Sequence, residues 1–287
     1  MGDRPPPGEM TPEEAQRAQV VVTFLNQLIP AAWAFFVECH DAPAEGSFLE
    51  RAKKNSDLVL VLDAALWIDA AGDFFLTLVE EFQYGQIHRF SPYTSLRGAL
   101  ECDAWACWLL DPDAEDKVRV GRALTLRARS LFEMKRLRLP PGATDHSKNL
   151  KERMERVTAA AERWGLRAHQ PDSGRVSFVP TPGATALIRC LLPDQSPLNR
   201  ELTVGEQTYG ELSARAHGTP WAMVSGTTPV EKLGEFQTLA RSELDVLEFI
   251  RLLGVVVSLD DKALRRVAVV AGVDSVVWDS RRGPIPW

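Results

Sequence analysis

The sequence lacks the motifs that hold most metal and redox cofactors. None of its four cysteines belongs to a Cys-x-x-Cys pair, and no Glu-x-x-His motif occurs in the 287 residues, which excludes a ferritin-like di-iron centre. The sequence also shows no secretory signal, so we predict a cytoplasmic protein whose thiols are reduced and pack as small hydrophobic side chains. Neither a cofactor nor a metal site is expected. The cysteines are Cys39, Cys102, Cys107 and Cys190.

Basic charge is scarce in the chain as a whole but concentrated in one stretch. The net charge is −6, whereas residues 117–167 hold 14 lysine and arginine residues against 5 acidic ones. Binding of a phosphate backbone or an acidic partner by this basic face is therefore an alternative function. Its only aromatic residues are Phe132 and Trp164, too few for the stacking platforms of a single-strand binder. Nucleic acid is thus not the favoured partner.

Residues 18–37 contain no charged side chain, and a run of that length could span a membrane. Asn26, Gln27 and Pro30 lie near its centre, however, and its apolar residues recur with helical period. Polar side chains at mid-membrane depth are unfavourable. We therefore predict a buried helix of a soluble protein, broken at Pro30, and no membrane partner.

Helical periodicity and capping signals account for nearly the whole chain. Residues 1–10 are expected to be a disordered N-terminus, and residues 11–287 a single helical domain with a candidate hinge at 140–146. The one segment with strand character is 175–179. The fold class we predict is all-α, an irregular multi-helix bundle of about nine or ten helices.

Two helices are predicted towards the C-terminal end of the chain. Thr228 and Pro229 form a Thr-Pro capping signal, which predicts a helix from there to about Val257. Asp260 begins a further predicted helix, which Gly272 ends. The tail after it is expected to be irregular.

The stretch 209–221 is the candidate functional segment. As the last part of a predicted helix over 199–217, it places Tyr209, Ser213 and His217 four residues apart, in one line on the face predicted to be buried. A buried hydroxyl or imidazole without a partner costs about 1–3 kcal/mol. This polar line therefore needs partners from another helix.

A predicted helix over 92–110 offers those partners. Four of its residues project within one narrow arc, so opposite charges and tryptophans share a face. We predict a partly buried polar and aromatic pocket between helices 92–110 and 199–217, which binds a small molecule or performs an enzymatic reaction. The four residues are Arg97, Glu101, Trp105 and Trp108.

The chemistry of these side chains suggests their roles. His217, with its charge tuned by Glu101, forms the candidate catalytic acid–base pair. A structural alternative is a satisfied polar network that holds two helices in register. Ser213 lies on a regular helix without oxyanion donors, so we do not expect nucleophilic catalysis. The candidate ligand-binding residues are Arg97, Trp105, Trp108, Tyr209, Ser213 and Trp221.

Asp63, Asp69 and Asp73 suggest a further alternative, isoprenoid diphosphate chemistry. Asp69 and Asp73 share a helical face, and aromatic residues surround them in the sequence. The chain has no aspartate-rich DDxxD motif and no matching second site, so a trinuclear magnesium centre would lack oxygen ligands. Helix capping and pairing between helices are the favoured roles for these aspartates.

Three segments of the sequence resemble known proteins. LRGALECDAWACWLLDPD, PTPGATALI and YGELSARAHGTPWAM are similar to segments of a family of bacterial all-helical proteins that has no established activity. The similarity extends over residues 90–225. More remotely, the chain resembles the helical HEPN-type proteins, some of which are RNases with a closely spaced arginine and histidine. That resemblance implies an RNase that uses Arg163 and His169 on the basic face 117–167.

A third class of function is a structural or regulatory interaction protein, in which the polar residues only stabilise the fold. The HEPN-type alternative needs a homodimer that brings the basic helices together. The small-molecule alternative needs a cavity beside His217. The sequence does not decide the oligomeric state.

Overall fold

The part of the chain that the structure describes contains ten helices and one two-stranded antiparallel hairpin. The computed structural model describes residues 11–58, 63–83, 90–136, 144–170, 175–219, 227–232, 238–242 and 244–286. The helices are α1 (Pro12–Asp41), α2 (Phe48–Lys54), α3 (Asp63–Gln83), α4 (Ser91–Leu109), α5 (Asp116–Arg136), α6 (Thr144–Arg163), α7 (Ala184–Leu191), α8 (Val204–Ala216), α9 (Val246–Ala271) and α10 (Val276–Arg282). The strands are β1 (Thr227–Lys232) and β2 (Thr238–Ser242).

This architecture confirms the all-α multi-helix bundle predicted from the sequence. Residues 1–10, predicted to be disordered, lie outside the described residues. So does most of the candidate hinge, since the description resumes at Thr144. The strand character of 175–179 yields only an isolated bridge between His169 and Ser177.

The central helix of the bundle is α4. Fourteen of its 19 residues are buried, because it is apolar on nearly every face and is enclosed by α3, α7, α8 and α9. Small residues let these helices approach closely. A Cβ atom at Gly98 would lie 2.4 Å from the ring of Phe74 on α3, so glycine is required for this contact.

The N-terminal helix α1 is continuous, and the break predicted at Pro30 is wrong. A proline removes one backbone hydrogen bond. The turns after it gain burial, because Phe35 and Cys39 pack into the core. By length and composition α1 could cross a membrane, and 33% of its most apolar window is buried inside the fold. Its Trp33 is half exposed.

The region after residue 226 differs from the prediction. Where a helix from Thr228 was expected, β1 pairs with β2, and Thr227 lies opposite Ser242. Helix α9 then runs without interruption through Asp260, which was predicted to begin a new helix. The apolar face of α9 continues across that point, so burial outweighs the local tendency of aspartate to cap a helix.

Two further corrections concern helix ends. Helix α8 begins at Val204 rather than at 199, because Thr203 and Glu206 form a capping box with each other's backbone N–H groups. A Cβ at Gly205 would lie 2.6 Å from the carbonyl oxygen of Ile188 on α7, which fixes how closely α8 sits. The tail predicted to be irregular contains α10, whose Trp278 is fully buried.

Candidate functional site

Four of the predicted site residues meet where α4 packs against α8. The Nε atom of Arg97 donates to Glu101 Oε1 at 2.9 Å, and its two terminal nitrogens lie 2.8 Å from His217 Nε2 and 3.4 Å from the Tyr209 hydroxyl. The Tyr209 hydroxyl donates to Glu101 Oε1 at 3.1 Å. We call these four residues the α4–α8 cluster. It is a closed hydrogen-bonded group with Arg97 at its centre.

The guanidinium at the centre determines the state of the histidine. Since a guanidinium only donates, His217 Nε2 must accept, and the imidazole proton lies on Nδ1. Burial lowers the pKa of Arg97, but the hydrogen bond with Tyr209 and the charge of Glu101 outweigh it and raise that pKa. Burial also raises the pKa of Tyr209. Arg97 therefore stays charged and holds the imidazole as an acceptor.

The geometry of the cluster differs from the prediction in three ways. His217 contacts Arg97, which stands between it and Glu101. The cluster lies at the edge of the interface, because His217 caps the C-terminal end of α8 and is exposed, and the Arg97 and Glu101 side chains are 22% and 31% exposed. Within the described residues, no hydrogen bond joins Ser213 to the cluster.

The two tryptophans of the predicted pocket have a different neighbour. Trp105 and Trp108 are buried, and their rings meet edge to face with centroids 5.5 Å apart. The guanidinium of Arg129 lies 5.9 Å from the Trp105 ring and that of Arg122 lies 5.2 Å from the Trp108 ring, both contributed by α5. These indoles thus join α4 to α5 through cation–π contacts. Trp221 lies outside the described residues.

The aspartates of the isoprenoid alternative do not lie together in a pocket. Asp63 accepts two hydrogen bonds from Arg127 on α5, at 2.6 and 2.7 Å. Asp69 and Asp73 lie on the exposed face of α3. Among the described residues, no group of three or more histidine, cysteine or acidic side chains is placed to hold a metal ion.

The two HEPN-type residues occupy ordinary positions in the fold. Arg163 donates two hydrogen bonds to Asp57, at 3.0 and 2.5 Å, and Trp164 Nε1 donates to the same carboxylate at 3.0 Å. The hydrogen bonds from Arg163 and Trp164 lower the pKa of Asp57. His169 is exposed, and its backbone pairs with that of Ser177.

A cavity that the sequence interpretation missed lies between α3, α5 and α6. Its volume is about 720 Å³. Most of its wall is apolar, but four arginines and two aspartates also line it, whereas none of the predicted site residues does. We call it the α3–α5–α6 cavity. The apolar wall includes Leu66, Trp67, Ala70, Leu124, Leu131 and Val157; the charged residues are Asp57, Asp63, Arg127, Arg153, Arg156 and Arg163.

The sequence contains one signal for this cavity. Arg153, Arg156, Val157, Ala160 and Arg163 recur at helical spacing, so arginines share a face of α6 with small apolar residues. A solvated helix face is usually polar throughout, so this mixture indicates a surface that is partly covered. Only the packing of α6 beside α5 and α3 shows that a cavity forms there.

A second unpredicted feature lies on the core side of α4. Asp103 is fully buried, and within the described residues neither of its carboxyl oxygens has a hydrogen-bond partner. Burial raises the pKa of Asp103 well above its usual range, and the charge of Asp260 on α9 adds to the rise. Burial likewise raises the pKa of Asp260 to about 7, with Asp261 contributing. Asp103 is therefore a neutral acid in the folded protein.

No protein-family model, curated protein or solved structure matches this chain.

Proposed function

We propose that this protein binds a small, largely apolar molecule in the α3–α5–α6 cavity. The observation that carries the proposal is the cavity itself, whose volume of about 720 Å³ lies in the range of ligand-binding clefts. This keeps the small-molecule function expected from the sequence but moves it from the α4–α8 interface to a different set of helices.

The lining of the cavity supports binding of apolar surface. Leucine, valine, alanine and tryptophan side chains from three helices converge on it. Leu66, which lines the cavity, is 68% exposed, so a large apolar side chain meets water at its edge. A ligand that covers this surface gains about 25 cal/mol for each square ångström of apolar area removed from water.

The α4–α8 cluster is a weaker candidate for the same function. All three nitrogens of Arg97 already have partners within the cluster, so a ligand would have to displace an internal hydrogen bond. An acid–base role for His217 and Glu101 would require the same displacement. The structural role weighed for these residues fits the closed group better.

Nucleic-acid binding by the basic face 117–167 is also a weaker alternative. Several of its arginines have internal acceptors: Arg122 pairs with Asp111, Arg127 with Asp63 and Arg163 with Asp57. A guanidinium that is already paired releases fewer counterions when it meets a phosphate. We also propose that the protein works in the cytoplasm, since its four cysteines are free thiols.

A blocking variant tests the proposal with a neutral fluorescent probe, N-phenyl-1-naphthylamine. Ser130 lines the cavity and is exposed, so Ser130→Trp fills the space without disturbing the core. We expect saturable binding to the wild-type protein, weakened about tenfold in Ser130→Trp.

The matched control is Ser258→Trp, at an exposed helical serine on α9 that does not line the cavity. This variant should bind the probe like the wild type. The proposal fails if the wild-type protein does not bind the probe, or if both variants bind it equally.

A further inference from the structure

We propose that the ligand is an amphipathic anion, an apolar chain whose carboxylate or phosphate head group binds Arg153 and Arg156 at one end of the α3–α5–α6 cavity. This inference rests on the proposed function, because it assumes that the cavity is the binding site. It adds the chemical class of the ligand and the direction in which the ligand lies.

The charges that line the cavity divide into two groups. Arg127 is neutralised by two hydrogen bonds to Asp63, and Arg163 by two hydrogen bonds to Asp57. Such bidentate pairs leave neither partner in need of a counterion. This part of the cavity therefore carries no net charge.

The other two arginines form the second group. Within the described residues, neither Arg153 nor Arg156 makes an ion pair, and both are exposed. They lie three residues apart on α6 and so are neighbours on one helix face. Two adjacent like charges repel each other, and a bound anion removes that repulsion. Guanidinium groups match the planar geometry of carboxylates and phosphates.

The two groups lie at opposite ends of the same helix face. Helices α5 and α6 are consecutive and pack side by side, and a Cβ at Gly121 near the start of α5 would lie 3.5 Å from Leu166 just after α6. The two helices are therefore antiparallel. Arg153 and Arg163 are ten residues apart, which corresponds to about 15 Å along the helix axis.

Apolar residues occupy the distance between the two charged groups. Val157 and Ala160 lie between them on α6 and line the cavity, as do Leu124 and Leu131 on α5. A ligand bound with its anionic head at Arg153 therefore places its chain along these side chains. A fully apolar ligand would leave both guanidiniums without a partner, and a fully polar ligand would leave the wall uncovered.

The experiment compares three probes of equal chain length: dodecanoate, dodecyl phosphate and dodecan-1-ol. Each competes with N-phenyl-1-naphthylamine for the wild-type protein. We expect the two anions to bind about tenfold more tightly than the alcohol, since only the anions pair with the arginines. The tighter of the two anions identifies the head group.

A double variant, Arg153→Gln with Arg156→Gln, should lose the preference for the anions while it still binds the alcohol. The matched control, Arg167→Gln with Arg200→Gln, removes two exposed arginines that do not line the cavity and should keep the preference. An equal loss in the control would mean that overall charge causes the preference, which would overturn the inference.

The remaining outcomes separate the inference from the proposed function. If the alcohol binds the wild-type protein as tightly as the anions do, the inference is wrong but the cavity is still a binding site. If neither the fluorescent probe nor any of the three competitors binds, the proposed function itself is wrong.

Discussion

The α4–α8 cluster and the α3–α5–α6 cavity both place arginines beside aromatic and aliphatic side chains, yet their charges are used differently. In the cluster, every nitrogen of Arg97 has an acceptor within the fold. In the cavity, Arg127 and Arg163 are paired, whereas Arg153 and Arg156 have no ion-pair partner among the described residues. The comparison teaches that residue type alone does not mark a binding site. The unpaired charge beside an open apolar wall does.

A third arrangement occurs on the other side of α4. Asp103 has neither a partner, within the described residues, nor access to water. A carboxyl group in that position is neutral. The fold thus contains charges that are paired, charges that face an open cavity, and acids that burial keeps protonated. The predictions below test these three states separately, from the largest expected effect to the smallest.

The largest effect should come from the buried acids. Because burial raises the pKa of Asp260 to about 7, the folded protein holds a proton there that the unfolded chain releases above its ordinary pKa. The stabilisation is full at low pH and is lost as the pH rises towards and through 7. For a rise of this size it amounts to several kcal/mol.

Asp260→Asn should therefore raise the free energy of unfolding at pH 8 and flatten its fall between pH 5 and pH 8. The measurement is urea unfolding at several pH values. Asp73→Asn, at an exposed aspartate of α3, is the control and should leave the pH profile unchanged. Parallel profiles for wild type and Asp260→Asn would show that Asp260 ionises normally. Groups near Asp103 and Asp260 to be considered are Cys107, Asp261, Lys262 and Arg266.

Gly205→Ala should have the next largest effect, because its Cβ would lie 2.6 Å from a backbone oxygen of α7. Neither backbone can yield easily, so we expect a loss of about 1–3 kcal/mol in the free energy of unfolding. The variant displaces α8 and with it the α4–α8 cluster, but probe binding in the cavity should persist.

Gly210→Ala is the matched control on the same helix. A Cβ there meets nothing within 4 Å, and alanine favours a helix by about 0.5–1 kcal/mol over glycine. This variant should unfold at a higher urea concentration than the wild type. If Gly205→Ala were equally stabilising, the close contact between α7 and α8 would not exist in solution.

The smallest effect should come from the partly exposed cluster. Arg97→Met removes three hydrogen bonds but keeps the apolar stem, and we expect a loss of about 1 kcal/mol because water screens the ion pair. Removal of Arg153, which pairs with nothing described, should change stability by less than about 0.5 kcal/mol. Ligand binding should show the reverse order, with Arg97→Met unaffected.

Thermal unfolding and probe titration of the same two variants provide this comparison. If Arg97→Met abolished ligand binding without loss of stability, the hypothesis of a site at His217 and Glu101 would replace the structural interpretation of the cluster. Loss of stability with binding intact would confirm that interpretation.

The sequence determined much of the local structure by itself. The capping box at Thr11 and Glu14 and the Ser-Pro start of α4 begin helices where the pattern predicted them. Helical period also showed that Arg97 shares a face with Glu101 and that Tyr209 shares one with His217, and these residues do meet. Such features depend on residues within one or two helical turns, whose spacing is visible in the chain.

Tertiary structure alone decided the rest. Pro30 and Asp260 lie inside helices because burial of the flanking apolar residues outweighs a local break signal. The cavity exists only where three helices separated in the sequence converge, and the neutral state of Asp103 exists only because α9 covers it. Whether a charge is paired, open to a ligand or buried depends on long-range packing. Local sequence therefore identifies the candidate residues, but the fold determines which of them are free to bind.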